Sequence, residues 1–302
     1  MKKNIVITLI YLGSISVGTV FAQTAQDYLE AGKLAYDKML ETSKTTSLSL
    51  QNIGIDDVLT LFNKTIELDI NSASAYYYRG LTYTLLVQPA KAISDFNTAL
   101  KLNPLNADTY LGRGMAHERA GKFADAVADY DKAISINPRL VQAYIKRGAA
   151  YGILQKPHAM AIADFTAAIK INTYLSEPYR RRAMVYFAQK DYQNALADFN
   201  KSISIDEYPV DNRLFPFNDY YYRAQALCEL GHFEEAIADY TKALGSIYAR
   251  FEYKIYALRA YAYYKAKDYD AAWSDVDKYQ QSGRVVARDF LDKLRHESGR
   301  DK

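Results

Sequence analysis

Between Tyr110 and Pro138 the apolar and small residues fall into two stripes. Tyr110, Gly114 and His117 occupy positions i, i+4 and i+7, and Ala126, Tyr130, Ala133 and Ile134 form a second set after Gly121-Lys122. Side chains three and four apart share one face of an α-helix, so this spacing predicts two amphipathic helices joined by a short turn. Pro104 and Pro138 close successive copies of the pattern, where a ring-locked backbone without an N–H ends one helix pair before the next begins.

The pattern recurs along most of the chain. Arg79, Arg113, Arg147, Arg182, Arg223 and Arg259 return at steps of 34, 34, 35, 41 and 36 residues. Asp95, Asp129, Asp164, Asp198, Asp239 and Asp275 follow them, each 16 or 17 residues later. A period in this range signifies a stacked array rather than a single globular core. Small residues at Gly80, Gly114, Gly148, Ala183, Ala224 and Ala260 allow close approach of the two helices of a pair. Phe96, Tyr130, Phe165, Phe199 and Tyr240 supply the aromatic bulk between pairs.

These residues resemble the tetratricopeptide repeat, a 34-residue helix pair with aromatic, small, Ala and Pro residues at set positions. Six units carry them in register, over 73–106, 107–140, 141–175, 176–209, 217–252 and 253–284. A degenerate first unit, marked by Tyr28, Gly32, Tyr36, Val58, Phe62 and Ile66, brings the array to about seven repeats over 23–284. A polar Ser/Thr-rich stretch within 40–56 reads as a loop insertion, and 208–216 as a second one. At 285–302, Val286, Phe290, Leu291 and Leu294 form the apolar stripe of a capping helix, with the final ESGRDK expected to fray. The resemblance implies an all-α, right-handed α-solenoid with a concave groove lined by the first helix of each pair.

One arginine and one aspartate per repeat point to an internal ion-pair ladder, since charges that leave the surface are usually paired. A ladder of cationic sites for a polyanion is the competing reading, and the matched aspartates weigh against it. Arg180 and Arg181 have no repeat partner and mark either a solvated face or a local anion contact. Of the 28 tyrosines, Tyr76, Tyr110, Tyr144, Tyr179, Tyr220 and Tyr256 share one repeat position and Tyr83, Tyr151, Tyr186 and Tyr263 another, so ten are packing residues.

The positions that the resemblance assigns to the groove are Tyr77, Leu81, Leu111, Met115, Ile145, Arg180, Met184, Phe187, Tyr221, Gln225, Tyr261 and Tyr264. An aromatic and aliphatic surface of this kind suits a peptide or protein partner, and packing of these side chains between successive first helices is the competing reading. The lysine, asparagine and arginine set with which some family members clamp acidic C-termini is not found at these positions.

Charge and chemistry narrow the function further. Lys2 and Lys3 precede an acid-free apolar run from Ile5 to Phe21 that closes on Ala22, the pattern of a secretory signal peptide with cleavage expected after Ala22, with an uncleaved N-terminal anchor as the competing reading. Its removal takes the formal net charge from +3 to +1, which gives no general case for nucleic acid. No transmembrane segment is expected in the mature chain. The single cysteine, Cys228, excludes an intramolecular disulfide, and His232 nearby is a weak basis for a nucleophile. The four histidines, 117, 158, 232 and 296, lack metal-ligand spacing, and phosphate- or dinucleotide-binding glycine patterns are absent. The sequence thus reads as a non-enzymatic interaction scaffold of the bacterial envelope, periplasmic or secreted, without cofactor or metal. A polysaccharide-associated protein that stacks tyrosines on sugar rings is the alternative.

Overall fold

A computed structural model describes residues 6–7, 20–21, 24–45, 54–206, 217–245 and 252–300. Two short strands, β1 (Val6–Ile7) and β2 (Val20–Phe21), pair antiparallel near the start. All other regular structure among the described residues is helical. Most of the expected signal peptide, the insertion at 208–216 and residues 46–53 of the other insertion lie outside the described residues.

The chain divides after Lys156 into two compact units. The first contains α1 (Ala25–Thr45), α2 (Ile55–Leu68), α3 (Ala73–Leu85), α4 (Pro89–Leu102), α5 (Ala107–Arg119), α6 (Phe123–Ile136) and α7 (Val141–Ile153). The second contains α8 (His158–Ile171), α9 (Ser176–Ala188), α10 (Tyr192–Asp206), α11 (Phe217–Glu229), α12 (Phe233–Leu244), α13 (Glu252–Lys265), α14 (Tyr269–Gln281) and α15 (Arg288–Ser298). Within each unit, helices consecutive in sequence form hairpins that pack on their neighbours. The helix α1 reaches Thr45, so residues 40–45 continue the helix where a loop was expected. Thr24 and Asp27 start it reciprocally, each accepting from the other's backbone N–H, at 3.2 and 2.9 Å.

The hairpins turn the same way each time. Val87, Gly121, Gln155, Lys190, Gly231 and Lys267 follow first helices with φ between 51° and 85°. The N–H of the next residue then reaches the carbonyl five positions back, as Gln88 does to Tyr83 and Lys122 to His117, both at 2.9 Å. This left-handed closure satisfies carbonyls that the helix end would otherwise leave without donors. Inside the hairpin the two helices approach so closely that a Cβ on Gly114 would stand 2.5 Å from the Tyr130 ring. Tyr130 is wholly buried there, as are its counterparts Phe96, Phe199 and Tyr240. Between repeats, Asp69, Asn137 and Asn172 each accept from the N–H two residues on, at 3.0 Å, which turns the chain into the next first helix.

The last helix, α15, begins at Arg288, two residues after Val286 at the head of the predicted apolar stripe, and is firmly ended. Gly299 takes a φ of 69°, and the Arg300 N–H bonds the Arg295 carbonyl at 3.0 Å. The tail expected to fray is tied down as far as Arg300. Glu297 accepts from the hydroxyls of Tyr264 at 2.5 Å and Tyr269 at 3.3 Å, Trp273 Nε1 donates to Ser298 at 3.2 Å, and Arg300 bonds Asp270 at 2.8 Å.

Four of the six hairpin turns put a residue with a Cβ in a conformation that glycine adopts freely, and Val87 is β-branched as well as exposed. Val87→Gly is predicted to raise unfolding stability by about 1 kcal/mol, and Gly121→Ala to lower it by a similar amount. Urea melts of the two variants check this, and a destabilised Val87→Gly protein would show that the turn carries no strain.

Candidate functional site

The repeat-position arginines stand on first helices and the aspartates on second helices, and in five of the six repeats their side chains meet inside the hairpin. Arg79 grips Asp95 with Nε and Nη2, both at 2.7 Å, and Arg113 grips Asp129 at 2.9 and 2.6 Å. In the second unit Arg182–Asp198, Arg223–Asp239 and Arg259–Asp275 repeat this two-pronged geometry at 2.6–2.9 Å. Arg147 bonds Asp131 at 2.6 Å, and Asp164 is buried. For Arg79, Arg113 and Arg182 the bonded aspartate raises the guanidinium pKa against the opposing effect of burial. These cations are neutralised by partners on the adjacent helix, an arrangement that leaves them to hold the scaffold.

A third arm of the guanidinium ties one hairpin to the one before it. Nη1 of Arg79 reaches Asn63 at 2.8 Å, that of Arg113 reaches Asn97 at 2.7 Å, and that of Arg147 makes the bond to Asp131. In the second unit Arg182, Arg223 and Arg259 reach Thr166, Asn200 and Thr241 at 2.7–2.8 Å. These acceptors were missed from sequence, although all but Asn63 stand two residues after a repeat aspartate. The tyrosine one turn before each arginine lies under its guanidinium, from 5.3 Å for Tyr220 to 6.0 Å for Tyr179. Tyr151, Tyr186 and Tyr263 flank it from the next turn at 5.6–5.9 Å.

The ladder fixes which side of each first helix is left for other contacts. In the first unit Tyr77 packs edge-on to Tyr78 and against Phe96, with Leu81 in the same cluster and its hydroxyl pKa raised by burial. Leu111 and Met115 are half-buried. Ile145 is wholly buried and belongs to the core, because no partner can reach a side chain with no exposed surface.

In the second unit Phe187 packs on Tyr192 and Tyr222, and Tyr221 on Tyr222 and Tyr240. Gln225 and Tyr264 are half-buried. Met184 and Tyr261, at 42% and 44% exposure, are the most accessible of the twelve groove positions. Tyr261 and Tyr264 both contact Phe290 of α15, at ring separations of 6.3 and 5.5 Å.

Arg180 proves to be a structural residue and not an anion or partner contact. Its Nε donates to Asp219 at 2.5 Å and its Nη2 to Asp206 at 2.6 Å, while Ser202 donates to the other Asp219 oxygen at 2.5 Å. Asp219 has no exposed surface, and its burial raises the carboxyl pKa against the pull of Arg180. Arg181 is likewise engaged, with Glu177 at 2.7 Å. Burial pushes the Cys228 thiol up to about 11, and His232 lies beside Glu235 at 3.5 Å. No group of three or more His, Cys, Asp and Glu able to hold a metal occurs among the described residues, nor does a helix long and apolar enough to cross a membrane.

Family models described as tetratricopeptide repeat match residues 86–140 and 174–246. Among solved structures, the C-terminal part of a TPR repeat-containing protein from Cytophaga hutchinsonii is 18% identical with a TM-score of 0.64, covering 88% of this chain and 99% of that one. The type IV pilus biogenesis factor PilW is 16% identical with a TM-score of 0.60, covering 74% and 96%. PilF of Pseudomonas aeruginosa is 15% identical with a TM-score of 0.58, covering 74% and 97%. At these identities the likeness is one of fold. No significant match exists among curated proteins.

Removing one partner of a ladder pair leaves a charge stranded beneath its tyrosines. Asp239→Ala is predicted to cost about 3 kcal/mol in urea unfolding, with part of the loss recovered when Arg223→Met is added. An exposed, independent pair would cost under about 1 kcal/mol, and that result would remove the ladder's structural role. Cys228 is expected to alkylate slowly at pH 8 and faster as pH approaches about 11, because only the thiolate reacts. Rapid labelling of the native protein at pH 8 would contradict its burial.

Proposed function

The chain belongs to the tetratricopeptide repeat proteins, and from that premise we propose that it is a non-enzymatic scaffold of the bacterial cell envelope that binds a peptide or protein partner. Repeats of this fold serve in protein–protein interaction. The binding surface on this reading is the first-helix face of the second unit, on α9, α11 and α13. Its observation is the accessible apolar pair Met184 and Tyr261, set among the half-buried Phe187, Tyr221, Gln225 and Tyr264. Large apolar side chains left accessible on helices whose repeat arginines are already paired are suited to become the buried centre of an interface.

Export rests on the N-terminal sequence, with two lysines, an apolar run and a small residue before the cut. Delivery to the periplasm or beyond, with residues 1–22 removed, is part of the proposal. The polysaccharide alternative has less surface to draw on, since Tyr174 and Tyr261 are the only exposed tyrosines among the described residues. Sugar stacking needs open ring faces, and most tyrosine rings here face arginines or other rings.

A photoreactive residue placed at Met184 or Tyr261 in living cells is expected to yield a discrete protein adduct, and one at the exposed second-helix position Glu235 none. Equal adducts from all three positions, or none from the first two, would remove the binding face. Mass analysis of the purified adduct also reads whether the chain begins at Gln23, and an intact N-terminus would contradict export by a cleaved signal.

A further inference from the structure

The C-terminal helix α15 packs on the last repeat, with Phe290 touching Tyr261 and Tyr264, and borders an open pocket near its start. Its far end is held by fully buried Leu294 and by the bonds of Glu297, Ser298 and Arg300 to the last repeat. Its near end, with the preceding Val285 and Val286, borders a cavity of about 580 Å³ together with α13 and α14. That volume falls within the range of small-molecule sites, about 300–1,000 Å³.

The walls of the cavity are apolar and aromatic: Tyr261 and Tyr264 from α13, Val276 from α14 and Phe290 from α15. Val285, at the margin, is 91% exposed, an apolar side chain that a bound ligand would cover. The charged groups in the lining are Lys265, Lys293 and Asp289, an excess of one positive charge. Neither lysine lies within ion-pair distance of a carboxylate among the described residues, and the Lys265 ammonium stands 5.6 and 6.0 Å from the rings of Tyr261 and Tyr264.

We propose that this cavity is a binding site for a small amphiphilic anion, with an apolar body of one or two rings or a medium acyl chain and a carboxylate or sulfonate head. The body lies against the apolar wall formed by Tyr261, Tyr264 and Phe290, covering Val285, and the head meets Lys265 and Lys293 at the lip. The site is bounded by α13, α14 and α15 and shares Tyr261 and Tyr264 with the proposed partner face, but its ligand binding is read on the purified chain without any partner.

The test uses the full mature chain and two probes that share their aromatic rings. The first, 1-anilinonaphthalene-8-sulfonate, carries an anionic head, and the second, N-phenyl-1-naphthylamine, is neutral. Saturable 1:1 binding of the sulfonate, displaced by decanoate, is expected from fluorescence titration. The exposed double variant Lys265→Glu/Lys293→Glu should weaken the sulfonate about tenfold or more and leave the neutral probe within about threefold. Ala257→Trp, which fills the cavity, should abolish binding of both while circular dichroism shows the helices intact. Non-saturable binding, several equivalent sites, or sulfonate affinity unchanged by the charge reversal would overturn the proposal, and the charge reversal decides it if Ala257→Trp fails to fold.

Discussion

The architecture depends on one guanidinium per repeat doing two jobs at once. Nε and Nη2 close on a carboxylate of the facing helix, and Nη1 reaches an oxygen on the second helix of the preceding repeat. The group is planar and its donors are fixed in direction, so satisfying all of them sets the angle within a hairpin and the step to the previous hairpin together. Tyrosines above and below exclude water and favour the charge through their ring faces. A lysine would supply the charge and lose the geometry. The small-residue and aromatic contact of each hairpin then fills the space that this frame defines.

Much of this was legible in the sequence because it is periodic. The ladder and the hairpins follow from identities that return in step, such as Arg113 and Asp129. The residues that escaped notice are those whose chemistry is constant while their identity drifts. The third-arm acceptor is Asn, Asp or Thr from repeat to repeat, since any of these offers an oxygen at the required place. The left-handed turn position is equally hidden where Val87, Gln155, Lys190 or Lys267 occupies the place that Gly121 and Gly231 announce.

The candidate face was legible only as a list of helix positions. Spacing places Ile145 and Met184 alike on a first helix, but only tertiary packing decides that one is sealed and the other accessible. Arg180 illustrates the converse limit. Its aspartates lie 26 and 39 residues away, outside the repeat frame, so no periodic signal connects them. The cavity beside α15 could not be read at all, because it arises from the placement of the terminal helix against the last repeat, which no repeat period encodes.

The closure of the C-terminal end has an optical consequence. The chain contains one tryptophan, Trp273, whose indole N–H bonds Ser298 and whose ring lies 5.5 Å from the Arg300 guanidinium. Both contacts come from the last turn of α15 and the residues just after it. Intrinsic emission from this protein is therefore a local gauge of whether the terminal helix is seated, while the circular dichroism of the whole array reports the rest. The two signals separate fraying at one end from cooperative melting without any added label.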